Sequence, residues 1–139
     1  MNAETLDKYP RANKLLNLYA RNKAIKETNL DLITMLEQFR RYDFISYGLE
    51  KKIKDNITAI RKTVKQAATQ NRKIETIINR VEGTEKDILT ARIVRGMLWA
   101  DIAEQYAYCD RQTFRLYAQG LETLENLLNK GKGVPQRTL

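Results

Sequence analysis

Asp110, Arg111, Gln112, Phe114, Arg115 and Gln119 crowd one short stretch of the chain. These side chains are of the kinds that recognise base-pair edges. Arg111 and Arg115 can each fork onto O6 and N7 of a guanine, or onto a phosphate. Gln112 can pair with adenine, and Phe114 can lie against a thymine methyl. Asp110 either selects a cytosine amino group or caps the helix that carries it. The plainer alternative for each arginine is a solvated surface charge.

Catalysis lacks its usual parts. The chain has no histidine, which removes the commonest general base and metal ligand. It has one cysteine, Cys109, so neither an intrachain disulfide nor a cysteine-rich zinc site can form. No carboxylate pair or nucleophile dyad stands out. The expectation is a non-enzyme that uses no cofactor and no metal.

Reading bases requires a helix held at a fixed angle, and the flanking residues supply the means. Ala103 is small enough for two helix axes to approach each other. Ile102, Tyr106, Tyr108 and Leu116 fall where apolar anchors belong. Cys109 precedes the second helix as its cap, so Asp110, Arg111 and Gln112 form an exposed first turn. Phe114 and Arg115 lie one turn on, followed by Ala118 and Gln119. Trp99 and Tyr106 are expected in the core, and Cys109 partly buried. Upstream, Gly83 is expected to end a long helix and Thr84 to cap the next. That next helix covers about 85–94 with Ile88, Leu89 and Ile93, and Gly96 breaks it. The last helix is expected to run from Asp110 to about Asn129 on a stripe of Leu116, Leu121, Leu124, Leu127 and Leu128.

The first half is a helical arm. Pro10 suits a first helical turn, because its missing N–H has no intrahelical partner there, and Asp7 is a nearby cap. Residues 1–9 are expected to fray. Thr28 and Asn29 both favour caps, which favours a break between two helices over the alternative of one long helix through both. Residues 42–48 predict a turn closed by Gly48, with Tyr42, Phe44 and Tyr47 packed on its neighbours. From Ile53 to Val81 the residues Ile53, Ile57, Ile60, Val64, Ala67, Asn71, Ile74, Ile78 and Val81 alternate steps of four and three. This heptad seam, with one Asn among β-branched residues, fits a two-stranded coiled coil and hence a homodimer. It equally fits an antiparallel hairpin with residues 11–41 of the same chain.

The fold expected is therefore all-α. A hairpin or coiled-coil arm occupies 1–83, a three-helix helix-turn-helix unit 84–129 and a flexible tail 130–139. The 139 residues carry 25 Lys and Arg against 17 Asp and Glu, a formal net charge of +8, and the pI is about 9.6. Such a balance suits an anionic partner. The excess is uneven. From Leu49 to Arg80 nine cations face three acids, whereas from Glu85 onward eight face seven. No stretch approaches a membrane span or a signal core, so a cytoplasmic location with no membrane partner is expected.

The segment Thr84–Leu128 resembles sigma-70 region 4, and more specifically the ArpU-like and RinA-like late-gene activators of phages. The resemblance is carried by Ile93-Val94-Arg95-Gly96-Met97-Leu98-Trp99 leading into Asp101-Ile102-Ala103. It continues through Tyr108-Cys109-Asp110-Arg111-Gln112-Thr113-Phe114-Arg115-Leu116 and Gly120-Leu121. Three positions depart from the family pattern: Cys109 replaces a capping Ser, Thr113 a larger inward aliphatic, and Ala107 a frequent Gly. The resemblance implies double-stranded DNA as ligand, transcriptional activation as function and RNA polymerase as a second partner. The competing expectation is a protein-interaction module that binds RNA polymerase or a sigma factor, in the manner of an inhibitor, without reading DNA.

Overall fold

The computed structural model describes residues 8–42 and 45–137. Among them the chain is all-helical. The helices are α1 (Pro10–Arg40), α2 (Tyr47–Ile78), α3 (Gly83–Leu89), a π-helical segment Thr90–Val94, α4 (Trp99–Tyr106) and α5 (Asp110–Arg137). No helix among the described residues is long and apolar enough to cross a membrane. Asp7, Phe44 and the expected frayed residues 1–7 lie outside the described residues, as do residues 138–139 of the expected tail.

The chain divides into two compact units. One comprises residues 1–19 and 73–139, the other residues 20–72. The division differs from a cut at residue 83, because both ends of the arm pack with the C-terminal helices. In the first unit Ala12, Leu16, Tyr19, Ile74, Ile78 and Val81 share a buried core with Ile88, Leu89, Ile102, Leu121 and Leu124. Tyr9, expected to fray, also packs on this core. Its carbonyl accepts the first helical bond from Asn13 N–H at 2.9 Å.

Pro10 opens α1, as its fixed φ favours. The first turn has no acidic residue of its own to meet the free N–H groups. Glu125 of α5 supplies one: its buried carboxylate accepts from Ala12 N–H at 2.9 Å, with Arg11 at 4.0 Å. A carboxylate at a helix N-terminus satisfies an orphan donor and complements the dipole.

The second unit pairs α1 and α2 antiparallel. Ile33, Ile53 and Ile57 form its buried cluster, joined by Leu36, Ile45 and Ile60. Asn22 Nδ2 donates to Asn71 Oδ1 at 3.0 Å and to Gln70 Oε1 at 2.7 Å. Arg61 and Arg40 reach Glu37 at 3.4 and 3.3 Å. The seam is thus covered by the same chain, and Asn71 meets its own Asn22.

Several local expectations are corrected. The helix α1 is unbroken at Thr28–Asn29. Asn29 stays in register by donating its side-chain amide to the Ile25 carbonyl at 2.8 Å, so the cap-favouring side chain bonds inside the helix. Gly48 lies in the first turn of α2, and the cap is Ser46, whose Oγ accepts from Leu49 N–H at 3.2 Å. Tyr47 is exposed, whereas Tyr42, though exposed on one side, packs edge-on against Phe39 of α1 at 5.7 Å. Helix α2 stops at Ile78, before the turn at 79–81. Glu82 precedes α3 in extended backbone, and Gly83, at φ +73°, begins it, so Thr84 is not the cap. The helix past Leu89 changes to π geometry, with Arg95 N–H reaching back to Thr90 O at 3.0 Å. Gly96, at φ +66°, then ends it. The backbone of α5 continues helical past Asn129, to Arg137.

Candidate nucleic-acid interface

The expected reader residues lie on α5, so the interface depends on what holds this helix. Leu98 precedes α4 in extended backbone, and its carbonyl takes the first bond of α4 from Ile102 N–H at 3.0 Å. Asp101 in the first turn complements the dipole. At the other end Ala107 turns left-handed, at φ 57° and ψ 38°. Tyr108 N–H then bonds Ala103 O at 2.9 Å and Ala107 N–H bonds Glu104 O at 3.2 Å. This pair of bonds is a Schellman closure, which normally recruits glycine. Ala107 is the one non-glycine residue with positive φ among the described residues.

Cys109 then caps α5. Its carbonyl accepts from Thr113 N–H at 3.0 Å and from the Thr113 hydroxyl at 3.1 Å. Thr113 is buried, as an inward position requires, and the second bond satisfies its hydroxyl. Cys109 itself is exposed rather than partly buried, since the cap points away from the core. Ile102, Ala103 and Leu116 are buried. Tyr106 and Tyr108 pack on the core and stack on each other, with centroids 6.3 Å apart.

An aromatic cluster fixes the rotation of α5. Trp99 meets Phe114 edge-on at 5.0 Å and Tyr117 at 4.9 Å. The Arg92 guanidinium lies 4.5 Å from the Trp99 ring centre, and its Nη1 donates to Met97 O at 2.9 Å. Arg92 therefore joins the π segment to the loop before α4. Burial pushes the Tyr117 hydroxyl up to about 12, against a smaller opposing effect of Arg92. Tyr117 stays neutral at any ordinary pH. One turn beyond Tyr117, Gly120 permits close approach of α3. A Cβ there would stand 3.0 Å from Leu89 side-chain carbons and 3.4 Å from Glu85 O.

With α5 held in this way, Arg111, Arg115 and Gln119 are exposed at successive turns of one face. Asp110 is exposed at the helix start, and Gln112 is half-buried at the edge of the face. Phe114 is half-buried against Trp99, which leaves only part of its ring for a ligand. Arg111, Arg115 and Gln119 are thus brought together, whereas Phe114 is shared with the core.

Three residues that shape the interface are not evident from the sequence. Tyr117 is legible in principle, since it lies four residues after Thr113 and four before Leu121, on the apolar stripe. Glu125 carries no comparable signal, because its partner Ala12 lies at the other end of the chain, and Arg92 carries none because Met97 and Trp99 follow it across an irregular turn that sets no periodic spacing. No known protein family matches the chain, and no curated protein or solved structure matches it.

Proposed function

We propose that the α3–α5 region is a helix-turn-helix of the sigma-region-4 type that reads double-stranded DNA with α5. The observation that carries this is the Schellman-closed turn at Ala107, which delivers Arg111, Arg115 and Gln119 to one solvent face of a rotationally locked helix. Arg111 and Arg115 contact guanine edges, Gln112 and Gln119 contact bases or phosphates beside them, and Asp110 sits at the entry. The exposed part of Phe114 meets a thymine methyl. The protein is accordingly a sequence-specific transcriptional regulator. Activation together with RNA polymerase, in a phage or mobile element, follows from the family resemblance alone. Selection of bound duplexes from a random pool at moderate salt tests the proposal. It should return a defined motif, and Arg111→Ala or Arg115→Ala should relax one position of it. A pool that stays random after repeated rounds would reject it.

A protein-docking role is the second reading, and two features favour it. The C-terminal region is close to charge balance, with eight cations against seven acids from Glu85 onward. Leu98, at the entry to α4, is 67 % exposed. Weak intrinsic attraction to phosphates and an exposed apolar residue suit a polymerase or sigma-factor surface. A salt-dependent mobility shift with duplex DNA separates the two roles.

A further inference from the structure

The positive charge of this protein lies mainly on α2, remote in sequence from the reader helix. From Asn56 to Ile74 the helix contains no carboxylate, while Arg61, Lys62, Lys65, Arg72 and Lys73 fall in that span and Lys51, Lys52 and Lys54 precede it. At about 100° per residue, Lys51, Lys54, Lys62 and Lys65 fall within an arc of roughly 80°. The seam residues Ile53, Ile57, Ile60 and Val64 centre about 130° away, and Ile53, Ile57 and Ile60 pack with Ile33 and Leu36 of α1. All four lysines are exposed. Among the described residues none of them has a carboxylate within 4.0 Å. Of the acids nearby, Glu50 reaches Arg40 at 3.8 Å and Glu37 reaches Arg61 and Arg40, while the exposed Asp55 stands at the edge of the lysine arc. Between Lys54 and Lys62 the small Thr58 shares the arc, and the one carboxylate at its edge, Asp55, leaves the row net positive.

We propose that the stripe Lys51–Lys54–Lys62–Lys65 is a second DNA-contact surface, which binds the phosphate backbone of a duplex without regard to sequence. The inference rests on the DNA-reading role of α5 for its choice of ligand. At 1.5 Å per residue the stripe is about 21 Å long. A duplex presents a phosphate charge every ~1.7 Å of axis, so a straight row of ammonium groups over that length meets many of them. Lysines on a rigid helix give point-charge contacts with phosphate, without the forked geometry that reads a base edge. An anionic membrane is the weaker match. A helix that binds at a lipid surface inserts an apolar face, and the apolar face of α2 is occupied by α1. The stripe supplies the affinity that a nearly charge-balanced reader lacks.

The test is the salt dependence of binding by the full chain, measured by fluorescence anisotropy on its selected duplex and on a scrambled duplex. The variant Lys51→Gln, Lys54→Gln, Lys62→Gln, Lys65→Gln should lower the slope of log K against log salt by about 3–4 on both duplexes. The base preference should stay as in the wild type. The corresponding Lys-to-Arg quadruple should restore the slope, which excludes a folding defect as the cause. Neutralising Lys8, Lys14, Lys26 and Lys130 instead should change the slope by less than about 1, which separates position from net charge. An unchanged slope in the stripe variant overturns the proposal, whatever the fate of the reader helix. So does wild-type binding to phosphatidylserine vesicles but to neither duplex. If Arg111→Ala and Arg115→Ala leave base preference untouched while the stripe variant still lowers the slope, the reader assignment fails and the stripe stands.

Discussion

The unit that contains the C-terminal helices and the unit formed by residues 20–72 use the same kind of secondary structure to opposite ends. In the first, every one of the largest fully buried side chains is found: Ile78, Val81, Ile88, Leu89, Ile102, Thr113, Leu121 and Leu124. In the second, Ile33, Ile53 and Ile57 bury their side chains between two helices only. There Leu30, Leu32, Met35, Phe39, Tyr42, Tyr47 and Leu49 remain substantially exposed. Charge follows the reverse order. Residues 20–72 carry twelve cations against six acids, while the C-terminal helices are nearly balanced. A core of several converging elements can hold a helix at a defined rotation, which base reading needs. Two paired helices have little interior, but most of their surface faces solvent and can display charge.

The largest effect should separate the two cores. Ile102→Ala removes a fully buried side chain from among several elements, so the cavity cannot collapse, and it should cost about 2–5 kcal/mol. Ile57→Ala, in the two-helix unit, should cost less than Ile102→Ala, since the partner helix can close over the gap. Urea denaturation of both variants checks the ranking. An equal or greater loss at Ile57 would break the contrast, and a folded Ile102→Ala variant with selectively lost DNA binding would place Ile102 in the interface instead.

Next in size is the effect on recognition. Arg111→Ala and Arg115→Ala should each weaken the preferred site by about 1–3 kcal/mol and relax one base position, while leaving thermal stability unchanged. Competition binding on single-base variants of the selected site measures it. Equal weakening on every sequence would mark these arginines as phosphate contacts.

Glu125→Ala should destabilise the protein by about 1–2 kcal/mol, because it leaves Ala12 N–H without its acceptor at the start of α1. Amide hydrogen exchange should rise first at the N-terminal turn of α1. Unchanged protection there would show that solvent replaces the carboxylate at little cost.

A smaller change tests whether the arm is complete within one chain. Asn71→Leu removes the buried one of the two acceptors of Asn22 and should destabilise by roughly 1 kcal/mol, with no change in sedimenting mass. A rise in stability accompanied by an altered mass would instead support the intermolecular coil that the heptad pattern also permits.

The smallest expected change is a gain. Ala107→Gly relieves a left-handed alanine, partly offset by the freedom that glycine adds to the unfolded chain. Calorimetry should show a net stabilisation of about 0.5–1 kcal/mol. A loss would mean that the Ala107 methyl makes a packing contribution larger than its backbone strain.

Much of this arrangement can be read from residue order, where the relevant contacts recur at short intervals. The seam from Ile53 to Val81, the stripe on α5, the start at Pro10, the turn around Ala107 and the exposed row Arg111–Arg115–Gln119 all follow from helical spacing. Such spacing repeats a signal many times, so single deviations do not obscure it. Helix boundaries are less legible. Asn29 favours a cap by only a fraction of the free energy that packing over a long helix supplies, so α1 runs through it. The π segment closes through Arg95 N–H on Thr90 O and Met97 N–H on Ala91 O, with Arg92 folded back onto Met97 O and the Trp99 ring, an irregular geometry that no helix propensity encodes.

Residue order by itself determined the helical class, the faces of each long helix and the uneven placement of charge, because each depends on neighbours three to seven positions away. Tertiary structure alone decided that the seam closes on α1 of the same chain, that Glu125 caps α1, and that Trp99 divides its contacts between Phe114 and Tyr117. The seam is degenerate, since a heptad row specifies that it will be covered but not by which helix. The cap and the aromatic cluster join residues far apart in the chain, and they form only once the core has brought those residues within bonding distance.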